Sequence, residues 1–375
     1  MFVTRLRAGY WRSWHSVELT TDAQWNVLAG SNGVGKTAIL EIMWALHRLR
    51  SLRGARVRTM RSHDAAGSDA SYASMEWHAT DGPHTAYVAF DGLDSMETRL
   101  NGDSVSRAEL SHRTAVVAIQ PQDTDLIFGD SQGRREFIQR IAFSIDPEFL
   151  TCLRQYDNVL AQRNSLLREG FQSLRDLRSA LQVWDELFVD QSARMQQRIN
   201  QAFGYVRQQT QGYFDRLLGP MQITLHAGTE RDNETESAAP ETPDFWRIML
   251  EKSFEKDRRN GYTSVGPHRW DWEARCDGLA ARTAASFGQV RSLTIALRLA
   301  AADIMAEVLG QAPVVLLDDL NSEIDVDRRT AMLYALLERG YQCWVTTTDA
   351  RQVCLPASVS VAQWHIADRH IQRCT

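Results

Sequence analysis

The sequence predicts an α/β fold built on a phosphate-binding loop, with an N-terminal antiparallel β lobe and an inserted helical arm. Three stretches carry that expectation. Gly30-Ser31-Asn32-Gly33-Val34-Gly35-Lys36-Thr37 fits G-x-x-x-x-G-K-[ST], between an apolar run at Trp25–Ala29 and a breaker-free helical run at Ala38–Leu46. Pro313-Val314-Val315-Leu316-Leu317-Asp318-Asp319 reads as a buried strand that ends in two carboxylates. Residues 72–105 alternate apolar and polar side chains in three short runs, whereas residues 130–220 hold long helical periodicity with few glycines. A period of two in the first region and of 3.6 in the second assign a meander to one and a helical insertion to the other.

Along the chain, residues 2–9 and 15–20 read as two strands leading to the strand before the loop. Between them Tyr10-Trp11-Arg12-Ser13-Trp14 sets two indoles around one arginine. This is either a turn with a partly buried tryptophan pair or a place from which Arg12 reaches a nucleotide. In the loop, Gly30, Ser31, Asn32, Gly33, Val34 and Gly35 let successive amides turn toward phosphate oxygens, with the positive end of a helix behind them. Lys36 would reach the β- and γ-phosphates, and the Thr37 hydroxyl would hold Mg²⁺. Strand, loop and helix together ask for a nucleoside triphosphate. Beyond the helix come Arg48, Arg50, Arg53, Arg56, Arg58 and Arg61, with no acid until Asp64. Such a run is either a solvated face or a phosphate-facing one, and Arg53, Arg56 and Arg58 are its candidates for contact with DNA.

Residues 62–71 read as loop, and Asp81-Gly82, Asp91-Gly92 and Asn101-Gly102 supply hairpin-turn chemistry. Thr114–Ile119 is a buried strand that runs into Gln120, a residue placed to sense a γ-phosphate and its metal. In the helical region Leu153, Tyr156, Leu160 and Leu167 space as one apolar stripe, and Trp184, Leu187, Phe188 and Met195 as another. Gly219-Pro220 ends the run, residues 228–244 read as an exposed polar loop, and a helix is expected around 244–258. Ser286-Phe287-Gly288-Gln289 opens a long helix over Val290–Leu309. Serine, glycine and a helix N-terminus make an anion site with no evident partner in its own subunit. Paired with the loop, Asp318 becomes the holder of Mg²⁺ and Asp319 the group that orients attacking water.

Composition bounds the function classes. A chain of 375 residues with 43% hydrophobic and 24% charged content has ample material for a globular core in one or two domains. No apolar run approaches the ~18 residues of a membrane span, so no membrane role is expected. The five cysteines show no C-x-x-C spacing, which favours reduced thiols in a cytoplasm over a disulfide frame or a zinc site. At a net charge of −5 the protein is no bulk polycation, so contact with nucleic acid must use a local patch.

The order of loop, glutamine, S-x-G-Q, carboxylate-ended strand, Ser322-Glu323-Ile324-Asp325 and strand-end Thr346-Thr347-Thr348-Asp349 resembles the head domain of ABC-type ATPases. The 166 positions from Gln120 to Ser286 are long for a transporter domain and short for SMC or Rad50 arms. Arg134-Arg135-Glu136-Phe137, Gln162-Arg163-Asn164-Ser165-Leu166-Leu167 and Gly266-Pro267-His268-Arg269 then resemble the RecF family in particular. Departures from that pattern stand at Leu49, Gln122, Ser131, Gln139, Phe287 and Ile324. None of them removes a phosphate or metal ligand.

What the resemblance implies is a cytoplasmic DNA repair ATPase that binds ATP with Mg²⁺, forms a homodimer on DNA and hydrolyses slowly. It would work with RecR, with RecO and RecA further along. Ser286, Gly288 and Gln289 of each copy would cap the γ-phosphate held by the other, and Lys36, Gln120 and Asp319 would carry the chemistry. The head is expected over 1–122 and 262–375 and the arm over 123–261. Two other readings stay open: a divergent ABC-type ATPase of a mobile-element or defence system, and an ATP-dependent dimeric scaffold with no useful turnover.

Overall fold

The computed structural model describes all residues but 63–64, 66–68, 92–94, 170, 172, 220, 228–241, 321–324 and 375. In chain order come β1 (Phe2–Trp11), β2 (Trp14–Thr20), β3 (Trp25–Ala29) and α1 (Lys36–Arg48). The meander follows as β4 (Ser71–Ala79), β5 (Gly82–Phe90), β6 (Met96–Leu100) and β7 (Asp103–Ser104), then α2 (Arg107–Arg113) and β8 (Val116–Ile119). The helical region holds α3 (Asp125–Phe128), α4 (Ser131–Ile145), α5 (Phe149–Arg168) and α6 (Leu174–Leu218). Next are β9 (Ile223–Ala227), α7 (Pro243–Asn260), β10 (Trp272–Cys276), β11 (Leu279–Ala280) and α8 (Ala281–Ala284). The chain closes with α9 (Phe287–Leu309), β12 (Val314–Leu317), α10 (Val326–Arg339), β13 (Gln342–Thr347), β14 (Val361–Ala367) and β15 (His370–Cys374).

Two compact units result. The first comprises Met1–Thr124, Gln209–Pro220 and Ser286–Thr375. Its central sheet has the order β15-β14-β3-β13-β12-β8, parallel throughout except for β15 at the edge. Strands β8 and β12 are buried along their whole length, which is why they read as unbroken apolar runs. The second sheet, β2-β1-β4-β5-β6-β7, is wholly antiparallel. Its turns follow the residues expected: Gly82 takes φ +121°, and Asn101 and Gly102 take φ +53° and +91°. The turn expected at Asp91-Gly92 reaches into residues outside the described ones. The last turns of α6 belong to this unit. There Asp303 of α9 accepts from Tyr213 and Tyr341, both at 2.7 Å, and pairs with Arg339 at 2.7 Å.

The second unit comprises Asp125–Gln208 and Met221–Ala285. It is mostly helical and carries the antiparallel sheet β11-β10-β9. The division differs from the sequence boundaries by two residues at the start of the arm and more widely at two other places. Residues 262–285, expected in the head, lie here because β10 pairs with β9; the end of α6, expected in the arm, lies in the first unit. Of the expected loop over 228–244, residues 228–241 are outside the described ones, and α7 starts at Pro243 behind an N-cap at Thr242. The stripes also shift. Tyr156, Leu167, Phe188 and Met195 are buried, whereas Leu187 is 42% exposed. Arg163 takes a place in the first stripe with no exposure at all. Among the described residues no helix is long and apolar enough to cross a membrane.

Candidate functional site

The loop begins where β3 ends. The Gly30 amide donates to the Thr347 carbonyl of neighbouring β13 at 3.2 Å, so the turn starts from a fixed point on the sheet. Gly33 and Gly35 take φ +83° and +97°, the left-handed backbone that lets amides face inward. At Gly35 the crowding is specific as well: an added Cβ would lie 2.6 Å from Trp14 Nε1. That indole donates to the Gly35 carbonyl at 3.1 Å, and the Trp11 indole donates to Ala38 O at 3.0 Å. The β1–β2 turn thus braces the loop and the first turn of α1. Both indoles are buried, beyond the partly buried pair expected from sequence.

Arg12, in the same turn, forms a two-pronged pair with Glu41 of α1 at 2.7 and 3.0 Å. Its guanidinium therefore has a partner in its own subunit, and it holds the turn against α1. Lys36 is nearly enclosed, and its ammonium donates to the carbonyls of Gly30 and Ser31 at 2.6 and 2.7 Å. Burial pulls its pKa below the ordinary lysine value, while Asp319 and Asp318 oppose the shift. Ser31, Asn32 and Gly33 are exposed at the mouth of the loop.

Across the sheet, β12 delivers Asp318. Its Oδ1 accepts from Thr37 Oγ1 and from Thr346 Oγ1, each at 2.8 Å. Burial raises the Asp318 carboxyl above its usual range, and the two hydroxyl bonds work against that rise. Thr346 also accepts from the Asp319 amide at 2.8 Å, and Asp319 sits at φ +52°. Thr346 is the residue that joins both aspartates after β12 to β13. The sequence showed it only as a polar strand end.

Gln120 follows β8. Its amide donates to Asp123 Oδ2 at 2.8 Å, and its carbonyl accepts from Arg291 of α9. Arg298, two turns on, reaches Asp123 Oδ1 at 2.6 Å. The helix that begins with the signature residues thereby grips the segment after β8 through one buried and one half-buried arginine contact, which spacing alone did not reveal. Ser286 is the N-cap of α9: its side chain accepts from the Gln289 amide at 3.3 Å, and Gln289 Oε1 accepts from the Ser286 amide at 2.7 Å. Ser286 and Phe287 are exposed, with Gly288 half-buried beside Arg328. Of Ser322-Glu323-Ile324-Asp325 only Asp325 is among the described residues, as the N-cap of α10. Arg53 and Arg56 are exposed and Arg58 is half-buried, on a short segment where Arg50 bridges to Arg56.

The residues present suit a triphosphate and a divalent cation. The glycines leave a cradle that side chains would fill. Thr37 and Asp318 bring one hydroxyl and one carboxylate to the same point, the sparse donor set of a Mg²⁺ that keeps phosphate and water oxygens. Glycine loop, carboxylate-ended strand and capped signature helix on one parallel sheet define the head fold of an ABC-type ATPase.

Residues 2–362 match the family described as RecF/RecN/SMC N terminal domain. A curated relative, "DNA replication and repair protein RecF" of Xanthomonas euvesicatoria pv. vesicatoria (strain 85-10), is 32% identical over 381 residues, covering 100% of this chain and 99% of the relative. The chain belongs to the RecF family. A solved structure of the "recombination mediator protein RecF-ATPrS in RecFOR pathway" superposes with a TM-score of 0.85 at 22% identity, covering 100% of this chain and 98% of that one. An Smc head bound to the C-terminal winged-helix domain of ScpA superposes with a TM-score of 0.54 at 14% identity, covering 100% and 98%. These two likenesses are likenesses of fold.

Proposed function

We propose that this protein is an ATP-operated DNA-binding switch of recombinational repair, acting at gaps by pairing two copies around ATP and supporting the loading of RecA. The observation that supports it best is the meeting of Thr37 and Thr346 at Asp318, with Lys36 held in the adjoining glycine loop, while Ser286 caps an exposed helix end in the same unit. The first four suit a bound triphosphate. The last suits an anion that another copy presents. Names of the RecF relatives support DNA as the substrate and a recombination pathway as the setting. This reading takes RecR as the direct protein partner, with RecO near it.

Lys36 exchanges two loop carbonyls for phosphate oxygens. Thr37 and Asp318 would hold Mg²⁺, which would supply charge neutralisation at the phosphates. Asp319, fixed through its amide by Thr346, orients water, and Gln120 lies on the segment held by Arg291 and Arg298. Arg53, Arg56 and Arg58 offer a basic face to DNA phosphates. An aspartate in place of a longer carboxylate suits slow turnover, as a switch requires.

The test is steady-state ATP hydrolysis with Mg²⁺, with and without gapped duplex DNA. Slow turnover that rises with DNA is expected, and Asp319→Asn should cut it about 10²-fold, the scale of one missing transition-state hydrogen bond, while ATP binding persists. Hydrolysis by Asp319→Asn at the parent rate would remove Asp319 from the mechanism. A parent that binds ATP and never turns it over would favour the scaffold reading.

A further inference from the structure

The helical unit contains an open cleft of about 540 Å³ that the ATP site does not use. Its lining carries four cations, Arg134, Lys256, Arg269 and Arg282, against two carboxylates, Asp271 and Glu273. Both carboxylates are already engaged: Asp271 holds Arg134 through two bonds of 2.8 Å, and Glu273 holds Arg275 at 2.5 Å. The other three cations have no carboxylate partner among the described residues. Arg282 donates to the Phe128 carbonyl at 2.8 Å, Arg269 lies over the Tyr262 ring at 5.4 Å, and Lys256 is exposed. In a protein of net charge −5, that is a local excess of positive charge at a concave surface.

The apolar lining narrows the ligand. Leu126, Ile127 and Trp272 back the cleft, yet all three are buried in the unit's own packing. They offer no pocket to the apolar anchor of a peptide. The exposed ring is Tyr262, 42% accessible and flanked by a guanidinium. Cations beside one exposed aromatic face are the elements that single-stranded nucleic acid uses, phosphates on the first and a base on the second. We infer that this cleft holds a short run of single-stranded DNA, with Lys256, Arg269 and Arg282 on successive phosphates and a base stacked on Tyr262. The inference rests on the DNA reading above and adds a site outside the ATP-bearing unit.

The experiment is fluorescence anisotropy of a labelled six-nucleotide single strand with the full chain, without ATP, over a range of salt. The parent should bind. Lys256→Ala/Arg269→Ala/Arg282→Ala should weaken binding at least tenfold and reduce the salt slope by about 2, at roughly 0.7 for each phosphate that loses its cation. Tyr262→Ala should weaken binding and leave the salt slope unchanged. Lys256→Ala/Arg269→Ala spares the bond from Arg282 to Phe128, so it carries the same test if the triple variant unfolds. Absence of binding by the parent, or parent-like binding by both charge variants, would overturn the proposal. So would competition by an acidic hexapeptide that exceeds competition by unlabelled strand. ATP-dependent retention of long duplex, measured on the same samples, keeps the two readings apart. Its loss with short-strand binding intact indicts the ATP switch, and the reverse indicts the cleft.

Discussion

The Trp14 indole joins an aromatic turn to the phosphate loop through one donor, and the loop's shape depends on that bond. Trp14→Phe keeps an aromatic ring and removes the N–H, leaving the Gly35 carbonyl without its partner. A loss of about 1 kcal/mol predicts roughly fivefold weaker ATP binding in a fluorescent-nucleotide titration, and unchanged affinity would dismiss the brace. The indole pair was visible in the sequence, but its direction was not. Positive φ at Tyr10 and Arg12 sets which way the rings point, and no residue type there announces it. His268 gives a second residue-scale expectation. Its Nδ1 lies 2.5 Å from the Tyr156 hydroxyl, and its Nε2 lies 3.2 Å from the Thr263 carbonyl. Burial pushes its pKa down to about 4, with Arg269 and Arg135 acting the same way against the Thr263 bond and Asp257. An unfolded histidine titrates near 6.5. The stability this ring contributes is therefore full above pH 6.5 and is lost as pH falls toward 4, by on the order of 3 kcal/mol. Urea unfolding at pH 7 and at pH 4.5 should show a smaller drop for His268→Gln than for the parent; equal drops would contradict the assignment.

Elements of the arm explain why two family-like stretches sit where they do. Arg163 of α5 has no exposed surface and binds Asp185 at 2.8 Å, Asp257 of α7 at 3.1 Å and Thr263 at 2.7 Å. Asn164 accepts from both the amide and the hydroxyl of Thr263 at 2.7 Å. Gly266 takes φ +135°, and an added Cβ would meet Tyr156 Oη at 2.6 Å and Phe188 Cζ at 2.8 Å. These residues tie α5, α6 and α7 together rather than meeting a ligand. Helical spacing made α5 legible, yet it could not show a buried arginine, because the acids that neutralise it stand 22 and 94 positions away. Asp257→Ala would leave that guanidinium with one acid and should cost about 3 kcal/mol, read as a lower urea midpoint. A change under about 1 kcal/mol, the size of one ordinary hydrogen bond, would make the brace dispensable. In the head, by contrast, β3, α1, β8, α9, β12 and β13 follow from runs that need no long-range partner to be recognised. Thr346 and the Arg291 and Arg298 grip on the segment after β8, like the direction of the indole pair, lay beyond local pattern.

At the scale of the whole molecule, one unit carries both a triphosphate cradle and an exposed, self-capped helix end. If the helix end serves a second copy, ATP is the glue of a dimer. Lys36→Ala should then lose association by losing the nucleotide. Ser286→Arg should keep nucleotide binding and lose association, because a long cation would intrude where two copies meet. The measurement that bears most directly on this is sedimentation velocity of parent, Lys36→Ala and Ser286→Arg with Mg²⁺, with and without ATP, beside nucleotide titrations of the same samples. The parent alone should pass from monomer to dimer on ATP, with Ser286→Arg binding ATP as the parent does. A Ser286→Arg protein that dimerises normally with ATP would contradict it.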